Sequence, residues 1–68
     1  MGDGREVIFE FLRLGHAVKV TATDARSLVE VSIVGAASAG EETLKRAALD
    51  KLDYVLRKRG GQRPRPGG

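Results

Sequence analysis

The 68-residue sequence predicts an α+β fold, a three-stranded antiparallel meander sheet packed on one C-terminal helix in the order β-β-β-α. Three observations predict it. Apolar residues alternate with period 2 on both sides of Gly15-His16, and a third alternating run follows the turn-type stretch Asp24-Ala25-Arg26-Ser27. Beyond Gly40 the apolar spacing changes to 3.6, the period of a helix.

The first strand runs from Val7 to Leu14, with Val7, Phe9 and Phe11 on one face. Gly15 suits the first central position of a type II′ turn, which leads into a second strand over Ala17–Asp24. A two-residue loop pairs Leu14 with Ala17, hence Phe11 with Val20 and Phe9 with Ala22, so both apolar sets fall on the same face. Asp24 and Ser27 are residues that bond their own backbone in turns. Taking Asp24–Ser27 as the loop pairs Thr23 with Leu28, and the third strand then runs from Leu28 to Val34, with Val20 opposite Val31 and Val18 opposite Ile33. Gly35 to Gly40 is a connection of small residues. Ser38-Ala39-Gly40-Glu41 has the form of a capping box, and Gly60 is a natural helix stop. Leu44, Ala48, Leu52 and Val55, flanked by Leu49 and Leu56, form the stripe that should cover Phe9, Phe11, Val20 and Val31. Residues 1–4 are expected to be a disordered N-terminus, 5–59 the domain and 60–68 a disordered basic tail of Gly, Pro and Arg.

A chain this short buries only about 60% of its unfolded surface, so its core is thin and some reinforcement is expected. The absence of cysteine excludes disulfides and thiolate metal sites, which leaves association with a second subunit. No apolar run approaches the ~20 residues that cross a bilayer, and Met1-Gly2-Asp3-Gly4 is polar, so the expected compartment is the cytoplasm. The net charge of +3 divides unevenly. Residues 1–56 hold seven basic and nine acidic side chains, whereas 57–68 hold five basic and none acidic. The body is mildly acidic, and the sequence pI of 9.8 is a property of the tail.

No nucleophile–base pair, metal cluster or cofactor fingerprint is present, so no catalytic, cofactor-binding or metal residue is expected, and the chain reads as a non-enzyme. His16, the one histidine, stands at a hairpin tip, where polar residues are ordinary. Glu10, Lys19, Thr21, Glu30 and Ser32 form a solvated cross-strand lattice, with Thr21 between Glu10 and Glu30. The loop before the helix resembles a phosphate cradle only in its small residues. It lacks the Gly-x-x-x-x-Gly-Lys-Ser/Thr spacing, and Glu41 and Glu42 would repel an anion there. Ile8, Leu12 and Leu14 on the uncovered face, with Leu28 and Val34 on the same side, are the candidate protein interface. The expected partner is therefore a protein or a second copy in a weak homodimer. The alternative is weak nucleic-acid binding through Lys45, Arg46, Arg57, Lys58, Arg59, Arg63 and Arg65, whose charge comes without an aromatic stacking platform.

The stretch Gly35 to Leu56, small residues followed by an Ala-rich helix, resembles the end of a double-stranded-RNA-binding domain. That family's first helix is missing here, and its phosphate-contacting lysines would fall at Glu41 and Glu42, with Lys45 and Arg46 as basic substitutes. Residues 5–59 look like a group of short, uncharacterised bacterial proteins. The residues that carry this likeness are Arg5-Glu6-Val7-Ile8-Phe9-Glu10-Phe11, Val18-Lys19-Val20-Thr21-Ala22 and Glu30-Val31-Ser32-Ile33-Val34-Gly35 with Ala37–Gly40. That resemblance implies a bacterial, cytoplasmic origin and no residue role.

Overall fold

Alternating β-branched and aromatic residues form three strands in the computed structural model, which describes residues 6–61. β1 (Val7–Leu14), β2 (Ala17–Asp24) and β3 (Glu30–Ala36) make one antiparallel sheet in that order. A short 3-10 turn over Ala37–Ala39 leads into α1 (Glu41–Gly61). The fold is the α+β arrangement expected.

Among the described residues outside glycine only Leu28 has a positive φ, and Gly15 takes a φ of 65°. A positive angle at the first loop position alone is what a type II′ turn requires. Leu14 pairs with Ala17, Phe11 with Val20 and Phe9 with Ala22, as the parity argument demands.

The second hairpin differs from expectation by two residues of register. Thr23 pairs with Glu30, Val20 with Ile33, Ala22 with Val31 and Val18 with Gly35. The loop still has four residues, but it comprises Ala25–Leu28 in place of Asp24–Ser27. Asp24 remains in the ladder, its N–H donating to the Val29 carbonyl at 2.9 Å. Its carboxylate accepts the Ser27 N–H and hydroxyl at 2.9 and 2.7 Å, and its carbonyl accepts the Leu28 N–H at 2.7 Å. Leu28 closes the turn with a φ of 65°. A displacement of the loop by one residue moves the register by two and so leaves every side chain on its expected face.

The core consists of Val20, Ala22 and Val31 from the sheet and Leu44, Ala48 and Leu52 from the helix. Val7, Phe9, Val18, Val29, Ile33, Val55 and Leu56 pack around it half-buried. Burying such side chains is worth roughly 1.5–3 kcal/mol each for the larger ones, which is the main stabilising term in so small a body. Gly35 permits the close approach of the helix, because a Cβ there would collide with Leu44 Cδ2.

Three further expectations are corrected. α1 packs on β2 and β3, so Phe11 keeps 38% of its surface exposed although it faces the helix side. A helix about 10 Å across covers roughly two strands spaced about 4.8 Å apart, and the third is left beside it. The helix begins at Glu41, preceded by Gly40 at a φ of 93°, and the Leu44 N–H donates to the Gly40 carbonyl. Ser38 therefore lies in the 3-10 turn rather than at a capping box. The helix also continues through Gly60 to Gly61, past the expected stop. The N-terminus expected at 1–4 and residues 62–68 of the expected tail lie outside the described residues.

Candidate functional site

A three-stranded sheet has two edges, and here they are unequal. The direction of each backbone group follows from two hydrogen bonds. The Ala25 N–H donates to the Glu6 carbonyl at 3.0 Å, so even-numbered residues of β1 face β2 and Val7, Phe9, Phe11 and Arg13 present their N–H and C=O groups outward. On the other side Val29 faces β2, so the even-numbered groups of β3 point outward. One of these, the Ser32 carbonyl, accepts a 3.0 Å hydrogen bond from Lys51 Nζ, which reaches it from α1. Along β1 no hydrogen bond from a described residue reaches the outward groups, and the Arg13 guanidinium turns back to the Gly15 carbonyl at 2.7 Å.

β1 also exposes apolar side chains on both faces. Ile8, Leu12 and Leu14 are half or more exposed on the open face, and Phe11 is exposed on the helix side. Eight residues without proline or lysine make a long and weakly protected edge. Between β1 and α1 runs an open groove of about 290 Å³, lined by Phe9, Glu42, Lys45, Arg46, Leu49 and Asp50. Lys45 Nζ stands 5.2 Å from the centre of the Phe9 ring, a cation–π distance.

The corrected register redistributes the open-face residues. Thr21 lies between Glu10 and Ser32, its hydroxyl 3.2 Å from that of Ser32, while Glu30 pairs with Thr23. Lys19 separates Leu12 from Val34. Of the five candidate interface residues, Ile8, Leu12 and Leu14 therefore line one strand. Val34 sits two strands away, and Leu28 leaves the sheet altogether, 74% exposed in the β2–β3 turn. Phe11 belongs with the first three, although sequence parity assigns it to the core. The width of a single helix against three strands is the signal that identifies it.

The basic candidates form no single face. Lys45 and Arg46 line the groove beside Glu42 and Asp50. Arg57, Lys58 and Arg59 are exposed eleven or more residues further along α1, about 16 Å or more away at 1.5 Å per residue. Lys58 Nζ stands 5.7 Å from the Tyr54 ring. Arg63 and Arg65 lie outside the described residues. His16 is exposed at the hairpin tip, and its carbonyl accepts the Ala37 N–H at 2.7 Å. Among the described residues no group of three His, Asp or Glu side chains is placed to hold a metal ion, and no helix is long and apolar enough to cross a membrane.

A family model described as a domain of unknown function (DUF6898) matches residues 4–59. No curated protein and no solved structure matches the chain.

Proposed function

The chain belongs to the family of that domain of unknown function, and from this premise we propose that it is a non-enzymatic protein-interaction module which takes a partner's strand on the free edge of β1. The observation that carries this reading is the inequality of the edges. Lys51 bonds one outward carbonyl of β3, that of Ser32, whereas β1 offers outward amides between exposed apolar side chains on both faces. Strand addition uses both features, since the backbone gives affinity and alternate side chains give specificity. The bacterial, cytoplasmic setting implied by the resemblance of residues 5–59 is kept as part of this proposal.

A photo-reactive amino acid placed at Leu12, with a second at Tyr54 on the exposed side of α1, tests the reading in cells. Cross-linking to protein from position 12, and not from 54, that is abolished by Phe11→Pro supports it. The Phe11 N–H points outward, so proline there blocks the edge while sparing the β1–β2 ladder. Absence of any protein cross-link from position 12 would contradict it.

A further inference from the structure

We infer that the strand taken by β1 is β1 of a second copy, paired antiparallel about a two-fold axis through Phe11 to give a continuous six-stranded sheet. This rests on the interaction reading above and names its occupant. A second copy fits because parity, overlap and the placing of charge along β1 leave one register that overlaps seven residues without opposing like charges.

In an antiparallel self-pair each residue faces one whose number makes a constant sum with its own, and directly opposed residues share a face of the sheet. Centring on Glu10 sets two carboxylates directly opposite one another. Centring on Arg13 does the same with two guanidinium groups, and both of these oppose like charges. Centring on Phe9 overlaps the two strands only over residues 7–11. Centring on Leu12 overlaps the two strands only over residues 10–14 and puts Ile8 opposite the partner's turn residue His16.

Centring on Phe11 opposes no like charges and overlaps the two strands over residues 8–14. Phe11 meets the partner's Phe11 on the helix side, and Phe9 meets the partner's Arg13 beside the groove, whose charged lining is Glu42 and Asp50 together with Lys45 and Arg46. On the open face Ile8 meets the partner's Leu14, and the Glu6 carboxylate meets the partner's His16. Glu10 lies opposite the partner's Leu12, and beyond that leucine stands the partner's Lys19, its cross-strand neighbour within one chain. Every residue whose backbone then bonds across the axis is odd-numbered, and these are the residues whose groups point outward. Pairing also satisfies the outward backbone groups of β1 and lays Phe11 against its copy, a reinforcement that so thin a core lacks.

The chain has no cysteine, so introduced pairs report the register cleanly. In the proposed dimer residue 10 opposes residue 12 at a non-hydrogen-bonded position, about 4.5 Å between Cα atoms. Two copies of residue 12, or of residue 10, are diagonal neighbours about 7–8 Å apart, beyond the reach of an unstrained disulfide. A mixture of Glu10→Cys and Leu12→Cys chains under oxidised glutathione should give several-fold more disulfide dimer than either variant alone. Both sites are exposed, so both variants keep the fold. In sedimentation, Leu12→Glu should weaken association several-fold by opposing the partner's Glu10, whereas Leu12→Lys should not. Equal cross-linking by one variant alone, or no dimer from the mixture, overturns the self-pairing. A wild-type chain that sediments as a clean monomer at high concentration overturns it too. If the Leu12 photo-cross-linker then still captures a different protein, and Phe11→Pro abolishes that capture, the interaction reading stands and only its occupant has failed.

Discussion

Leu28 holds a backbone angle that costs a side chain with a Cβ about 1–2 kcal/mol, and its own side chain is 74% exposed. The turn imposes the angle, because Asp24 ties down Ser27 and Leu28 on one side while Val29 must rejoin the ladder on the other. Leu28→Gly should therefore stabilise the domain by up to about 1 kcal/mol, after the extra freedom that glycine gives the unfolded chain. Thermal unfolding would register that as a rise of several degrees. A lower melting temperature would mean that the leucine side chain contributes contacts that outweigh the strain. The opposite case is Leu52, fully buried in the centre of the core. Leu52→Ala should cost about 2–5 kcal/mol, comparable with the whole stability of a domain this small, and leave it largely unfolded by circular dichroism. Phe11→Ala should cost far less in the same measurement, since Phe11 lies beside the core cluster rather than within it.

At the level of elements, α1 can sit close to the sheet only because Gly35 has no side chain. Gly35→Ala drives a methyl group into Leu44, itself buried, and overpacking of this kind typically costs about 1–3 kcal/mol. Denaturant titration should show the loss, and a stability equal to the parent would mean that Leu44 swings aside freely. Lys51→Ala removes the bond to the Ser32 carbonyl and should change stability by less than about 1 kcal/mol, because the bond is exposed. What was legible in the sequence divides along the same lines. Period-2 alternation and a two-residue loop specify the first hairpin completely, because parity and loop length leave a single register. The second hairpin has four loop residues, and alternation is blind to a shift of two, so the position of the loop depended on whether Asp24 stayed in the ladder. The helix stripe was legible from its spacing, but its lateral position on the sheet was not. That position determines that Phe9 is half-covered, that Phe11 is exposed and that Lys45 reaches the Phe9 ring. The capping box failed for a related reason. Ser38 and Glu41 have the right spacing, yet a 3-10 turn intervenes and Gly40 takes the position before the helix.

The molecule as a whole is a two-layer body with two unequal edges. The helix covers β2 and β3, Lys51 bonds one outward carbonyl of β3, and β1 keeps its outward amides and its exposed apolar side chains. Under the self-pairing proposal a second copy docks on β1 in the one register that overlaps seven residues without opposing like charges. Amide hydrogen exchange along β1, followed by NMR as a function of protein concentration, tests this account most directly. The even-numbered amides of Ile8, Glu10, Leu12 and Leu14 bond to β2 and should be protected at every concentration. The odd-numbered amides of Phe9, Phe11 and Arg13 should exchange freely in dilute solution and slow as concentration rises and the second strand docks. Uniform protection along β1, or odd-numbered amides that exchange equally fast however concentrated the protein, would contradict it.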